Sequence, residues 1–189
     1  DFNGEEVTVV NNHFSSKGGS APILGVVQPF EALQEDPSVN GSLDERQDQA
    51  QAVFDFVSSL LVDPDADVIV LGDFNEFEFV SPLETLDGIL EHLAMTLTEE
   101  ERYTFIFQGN SQALDHMLVN DELLDMLIGF DIVHLNTDFA ENAFRASDHD
   151  PLLASFRIVG SSEVPVPGAW ILMVAGLLAM RRFGVQLVY

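Results

Sequence analysis

The sequence predicts an α+β fold, with strands and helices packed in layers, and three observations carry that expectation. Apolar β-rich runs recur along the chain, helical periodicity appears between them, and the two kinds of segment mix without strict alternation. Strict alternation would favour a doubly wound parallel sheet instead. The chain has 189 residues, 47% of them hydrophobic, which is enough to bury a sizeable core.

The elements follow in order. Glu6 to Asn12 (EVTVVNN) is a short β-rich run opening after the Asn3-Gly4 turn pair. Ser15 to Gly41 is a long loop of little periodicity, and loops of that length commonly carry function. Ser42-Leu43-Asp44-Glu45 reads as a capping box. Behind it Ala50, Val53, Phe54, Val57, Leu60 and Leu61 keep helical spacing up to the Asp63-Pro64 stop. Val68 to Leu71 is a fully apolar strand that ends at Gly72-Asp73-Phe74-Asn75. Ser81-Pro82-Leu83-Glu84 is a second capping box with proline at the first helical position, predicting a helix to about Met95. Tyr103 to Phe107 and Ala113 to Val119 read as paired strands around Gly109-Asn110. A short helix from Asp121 to Leu127, a strand from Phe130 to Leu135 and a last apolar strand from Leu152 to Ile158 complete the body.

Charge narrows the function. Asp and Glu number 32 against 7 Lys and Arg, a formal net charge of −25 that suits a surface kept soluble in high salt. This balance excludes a protein that grips nucleic acid through a basic surface. It leaves open carboxylates that meet a substrate through a bound cation, because the cation inverts the local field. With no cysteine there is no disulfide framework, thiolate catalysis or thiolate zinc site. The chain starts at Asp1, which reads as a processed chain or a fragment of a longer gene.

Composition changes after residue 159. Residues 160–163 form a small polar linker, and Val164 to Met180 carries no charge before Arg181-Arg182. The run falls slightly short of the ~20 residues a membrane span needs. An apolar helix over 164–182, with its basic end in the cytoplasm, would leave the acidic domain outside.

Four polar clusters stand at strand ends or in adjacent loops: Asn12-His13, Asp73 with Asn75, Asp115-His116, and Asp148-His149-Asp150. Asp115 sits among Leu114, Met117 and Leu118, where an unpaired charge is costly, so it calls for a partner such as a histidine. Together the clusters supply what phosphodiester hydrolysis needs. Carboxylates can hold a hard divalent cation, a carboxylate or histidine can deprotonate water, and histidine and asparagine can neutralise transition-state charge. His116 should point away from Asp115 along a strand and reads as structural, as do His92 and His134; the role of Asp150 stays open.

The stretches VTVVNNHFSSKGG, VIVLGDFNEFEFVSPLETL, YTFIFQGNSQALDHML and RASDHDPLLASF resemble the endonuclease/exonuclease/phosphatase superfamily, nearest in wording to secreted bacterial extracellular nucleases. The resemblance runs from Asp1 to about Val159 and implies part of a four-layer, deoxyribonuclease-like α/β-β/α sandwich. It implies that His13 contacts the scissile phosphate or assists the leaving group, and that Asp73 orients or deprotonates the attacking water. Asn75 would position phosphate and water, Asp115 would hydrogen-bond the catalytic histidine, and His149 would act on the phosphate. Asp148 matches a metal-site carboxylate, with Asp73 a further metal candidate. The implied metal is Mg²⁺ or Mn²⁺, with Ca²⁺ a further option, and the implied substrate is DNA, or RNA as well. The family's principal metal glutamate would precede Asp1, so the isolated chain is expected to show little activity while the parent protein is a nuclease. Val-Pro-Val-Pro-Gly-Ala, the apolar run and Arg-Arg resemble a PEP-CTERM sorting tail, implying export, transient membrane anchoring over 164–189 and a sorting protease as partner. The alternatives are a phosphatase or lipid phosphodiesterase of the same superfamily, or a non-catalytic exported module.

Overall fold

The computed structural model describes residue 2 and residues 4–21, 33–143 and 145–158. The apolar run expected to form a membrane helix lies outside these residues, as does the linker before it. Among the described residues no helix is long and apolar enough to cross a membrane.

Strand β1 (Val7–His13) and strand β2 (Asp67–Asp73) pair in parallel, an arrangement that requires a crossover rather than a tight turn. Helix α1 (Leu43–Leu60) lies in that connection. Its buried residues Leu43, Arg46, Ala50, Val53 and Val57 recur at three- and four-residue spacing, so one helical face is buried. After β2 come the single-turn helix α2 (Ser81–Glu84) and the short strand β3 (Glu91–His92). Hairpin β4 (Phe105–Phe107) and β5 (Asn110–Gln112) follows, then β6 (Asp115–Val119), α3 (Asp121–Asp125), β7 (Leu127–Ile132) and β8 (Leu152–Phe156). The main sheet runs β1-β2-β6-β3, with β2–β6 and β6–β3 antiparallel, while β7 pairs with β8 in a second sheet.

Strand alternation divides the core into two layers. Val68, Val70 and Leu118 join Phe14, Ala50, Val53, Val57, Phe74 and Leu83 in one cluster, which packs α1 onto the sheet. Ile69, Met117 and Val119 point the other way and meet Leu93, Leu123, Leu127, Phe130, Ala154 and Phe156. The second sheet therefore packs on the face opposite the helix. Each fully buried valine of β2 contributes roughly 1.5–3 kcal/mol relative to exposure.

Four local expectations change. Ser42 takes φ 57 and its side chain makes no capping bond, so the first capping box does not form. The helix expected from Ser81 to Met95 is a single turn, and Gly88 at φ 85 precedes β3 and a 3₁₀ turn over Leu93–Thr96. Phe105–Phe107 pairs with Asn110–Gln112 around Gln108-Gly109, whereas β6 joins the main sheet between β2 and β3. Strand β7 starts earlier than the expected Phe130 and stops at Ile132.

Gly72 is where the backbones of β1 and β2 close in. It has φ 131, and an added Cβ would lie 2.0 Å from the Asn12 carbonyl oxygen, which is backbone and cannot rotate away. Gly72→Ala should destabilise the protein by about 3 kcal/mol. Chemical denaturation checks this, and a loss under ~1 kcal/mol would contradict the close approach.

Candidate active site

The ladder itself builds the site. His13 lies opposite Asp73 across β1 and β2, and Asp73 lies opposite Asp115 across β2 and β6. Three chemically capable side chains thus form one lateral row at the ends of three adjacent strands. The preceding row, Asn12, Gly72 and His116, points to the opposite face by the two-residue period.

A loop residue completes the row. His149 Nδ1 donates to Asp115 Oδ2 at 2.6 Å, which leaves Nε2 as the nitrogen available to a substrate. That bond with Asp115 raises the His149 pKa above its ordinary value, against the opposing effect of burial. Backbone bonds hold the partners in place. Thr104 Oγ1 accepts the amides of Leu114 and Asp115 at 3.1 Å each, and the Thr104 carbonyl accepts the Asp150 amide at 2.8 Å.

Asp73 is fixed by its own turn. Its Oδ1 accepts the Asn75 amide at 2.8 Å, and its Oδ2 accepts the Asn75 side chain at 3.1 Å. Asn75 adopts φ 49, the left-handed conformation asparagine tolerates, and also donates to the Phe14 carbonyl at 3.1 Å. Burial raises the Asp73 pKa and the Asp115 charge adds to it, although the Asn75 amide and the two histidines oppose the shift. His13 Nε2 stands 3.6 Å from Asp73 Oδ2 with its side chain 77% exposed, so it is a rim residue open to substrate.

Ligand atoms of Asp73, Asp115 and His149 all lie within 4.8 Å of one another. Two close carboxylates that repel one another, with hard oxygen donors, fit a hard divalent cation. Since Asp115 and His149 are committed to each other, Asp73 is the residue of this group that would hold it. Asp148 lies outside the group, on an exposed stretch beside His149, whose positive form its charge favours. Five of the six site residues read from the sequence therefore converge, and Asp148 stands at the margin.

The remaining histidines lie outside this row. His116 is buried, and its Nε2 lies 2.9 Å from the Glu76 carbonyl, which can only accept, so Nε2 carries the proton. Burial pushes its pKa down, and that of His92 down to about 3. His134 Nδ1 contacts Asp150 at 3.0 Å and its ring stacks on Tyr103 at 4.1 Å. Asp150, left open by the sequence, anchors a loop: its carboxylate accepts the Asn136 amide at 2.8 Å, the Thr137 amide at 3.1 Å and the Thr137 hydroxyl. Burial alone would raise its pKa, but these bonds with Thr137, His134 and Asn136 hold it below the usual carboxylate range.

Sequence reasoning missed a buried charge network behind Asn75. Glu76, fully buried, receives Lys17 Nζ at 2.5 Å, Arg46 Nε at 3.0 Å and Asn40 Nδ2 at 2.8 Å. Arg46 also donates to the Ser15 carbonyl at 3.0 Å, joining α1, the Ser15 loop and the Asp73 turn. A signal was available, because the apolar spacing of α1 puts Arg46 on its buried face.

The described fold is similar to those of several solved structures, at 17% to 20% identity. It matches truncated TDP2 from Caenorhabditis elegans with a TM-score of 0.57 at 17% identity, covering 84% of this chain and 57% of that one. It matches a 3′-5′ exonuclease from Neisseria meningitidis with a TM-score of 0.51 at 20% identity, covering 80% and 62%. A 3′ phosphatase from Neisseria, solved with a product DNA hairpin, matches with a TM-score of 0.50 at 18% identity, over 80% and 62%. The chain thus spans 57% to 62% of the length of these structures. No protein-family model matches the sequence, and no curated protein matches it.

Proposed function

We propose that this site belongs to a divalent-metal-dependent phosphodiesterase that hydrolyses DNA. The observation that carries the reading is the row His13, Asp73, Asp115, with His149 bonded to Asp115 at 2.6 Å. The names of two structural neighbours, an exonuclease and a phosphatase holding DNA, favour a phosphoester substrate.

Each residue has a task in this reading. Asp73, fixed by Asn75, orients the attacking water and accepts its proton. His149 presents Nε2 to a phosphoryl oxygen, and Asp115 stabilises the imidazolium as negative charge develops there. His13, at the exposed rim, donates to the scissile phosphate or the departing oxygen. Mg²⁺ or Mn²⁺, bound at Asp73 with Asp148 as the further carboxylate, would supply charge neutralisation to the phosphate and leaving oxygen. Export and transient anchoring through residues 164–182, followed by sorting-protease cleavage, complete the proposal, which draws there on the acidic composition and the terminal sequence.

Plasmid nicking tests it, using the 189-residue chain and a longer polypeptide that carries it, with Mg²⁺ or Mn²⁺ and with chelator. Cleavage that chelator stops, and that Asp73→Asn abolishes without loss of folding, is the expected result. Metal-independent cleavage, or an active Asp73→Asn protein, would overturn it. The phosphatase reading draws on the neighbouring 3′ phosphatase. Phosphate release from small monoesters without nicking would favour that reading.

A further inference from the structure

The His149 ring keeps its bond to Asp115 only while the backbone that carries it stays in place. Ser147 and Asp148, just before it, are exposed, and there the Ser147 hydroxyl accepts the His149 amide at 3.1 Å. Firmer restraints come from the protein side. The His149 backbone bridges that of Phe105 in an antiparallel pair, and the Phe105 ring lies 4.7 Å from the imidazole. Asn136 then grips the His149-Asp150 dipeptide twice. Its Nδ2 donates to the His149 carbonyl at 2.6 Å, and its backbone amide donates to Asp150 Oδ1 at 2.8 Å.

The other end of the Asn136 side chain shows what the residue is for. Asn136 is 4% exposed, and its Oδ1 is buried without a hydrogen-bond partner among the described residues. An unpaired amide oxygen in the interior is unfavourable, and an apolar side chain of similar size would avoid it. The amide is therefore useful through its donor end alone, and that end is spent on the His149 carbonyl.

We propose that Asn136 is a positioning residue: by clamping the His149 carbonyl it keeps the imidazole on Asp115 and Nε2 turned to the substrate. The proposal rests on the phosphodiesterase reading for the chemistry that the held ring performs. It separates Asn136 from its neighbour Thr137, whose hydroxyl bonds Asp150 and secures the same loop without a bond to His149.

NMR of the His149 ring nitrogens tests it, on the full 189-residue chain above the pH at which the ring titrates. The wild type should show two well-separated nitrogen resonances, as a single tautomer with the proton on Nδ1 requires. Asn136→Ala and the larger Asn136→Leu should both draw the resonances together as the tautomers mix. The midpoint of chemical denaturation should stay at the wild-type value, because losing one hydrogen bond is offset by removing the unpaired oxygen. Thr137→Val should leave the ring as it is in the wild type. In plasmid nicking Asn136→Ala should lower kcat by about 10²-fold with KM unchanged, the cost of a misplaced reacting group. Unmoved resonances in both Asn136 variants overturn the proposal. An equal change in Thr137→Val also overturns it, since the effect would then be one of loop stability. If the ring responds as expected while the wild type nicks no plasmid, the phosphodiesterase reading fails and the clamp stands.

Discussion

Asp115→Asn should lower phosphodiester hydrolysis by about 10³- to 10⁴-fold, the scale seen when a histidine loses the carboxylate that orients it. The substitution keeps the shape of the side chain but removes the charge facing His149 Nδ1 at 2.6 Å. An amide can also offer its NH₂ group there, which favours the wrong imidazole tautomer. The same change should return the His149 pKa toward its ordinary value, because the Asp115 bond is the leading cause of its rise. Titration of the His149 ring by NMR reads this without any turnover, and an unmoved pKa would sink the assignment. The sign for stability follows. A histidine raised on folding stabilises fully below its unfolded pKa, and that contribution is lost as pH rises through the folded pKa. The difference in stability between wild type and Asp115→Asn should therefore shrink across that alkaline window. Activity should be bell-shaped in pH, with an acid limb at Asp73, raised by burial, and an alkaline limb at His149.

Glu76→Gln should be the most damaging single change to the fold, costing about 4 kcal/mol in chemical denaturation. Glu76 and Arg46 are both fully buried, and the substitution leaves Arg46 and Lys17 facing each other without a carboxylate between them. Burial already pulls the Lys17 pKa down to about 8 despite the attraction of Glu76. Without Glu76 it should fall further, so that the lysine sheds its proton near neutral pH. A cost below ~1 kcal/mol would mean that the network is dispensable.

The strands and the site were legible for one reason: their residues sit where an apolar run ends in a polar cluster. His13 and Asp73 each close such a run and Asp115 opens one, and the ladder turns three separate sequence motifs into one row. The Asp115–His149 pair was legible as a need, since a carboxylate within an apolar strand demands a partner. Elements set by tertiary contact were harder to read. The Ser81 helix stops after one turn although its local sequence favours continuation, and Ser81 is tied by its amide to Glu35 and by its hydroxyl to Gln47. Ser42 forgoes its cap in the loop that holds Gly41 against Ser20. Pairing partners also escaped the local pattern, because β6 is recruited by β2 from a distant part of the chain.

Lys17 is the sole lysine of the sequence, and its side chain is only 14% exposed while its ammonium is engaged by Glu76 and Asn40. An amine-acylating reagent therefore meets one side-chain target, and that target is sheltered in the closed state. The rate of its acylation becomes a clock for local opening of the segment behind the active site. No engineered label is required, since the composition of the chain already provides a single-site chemical probe.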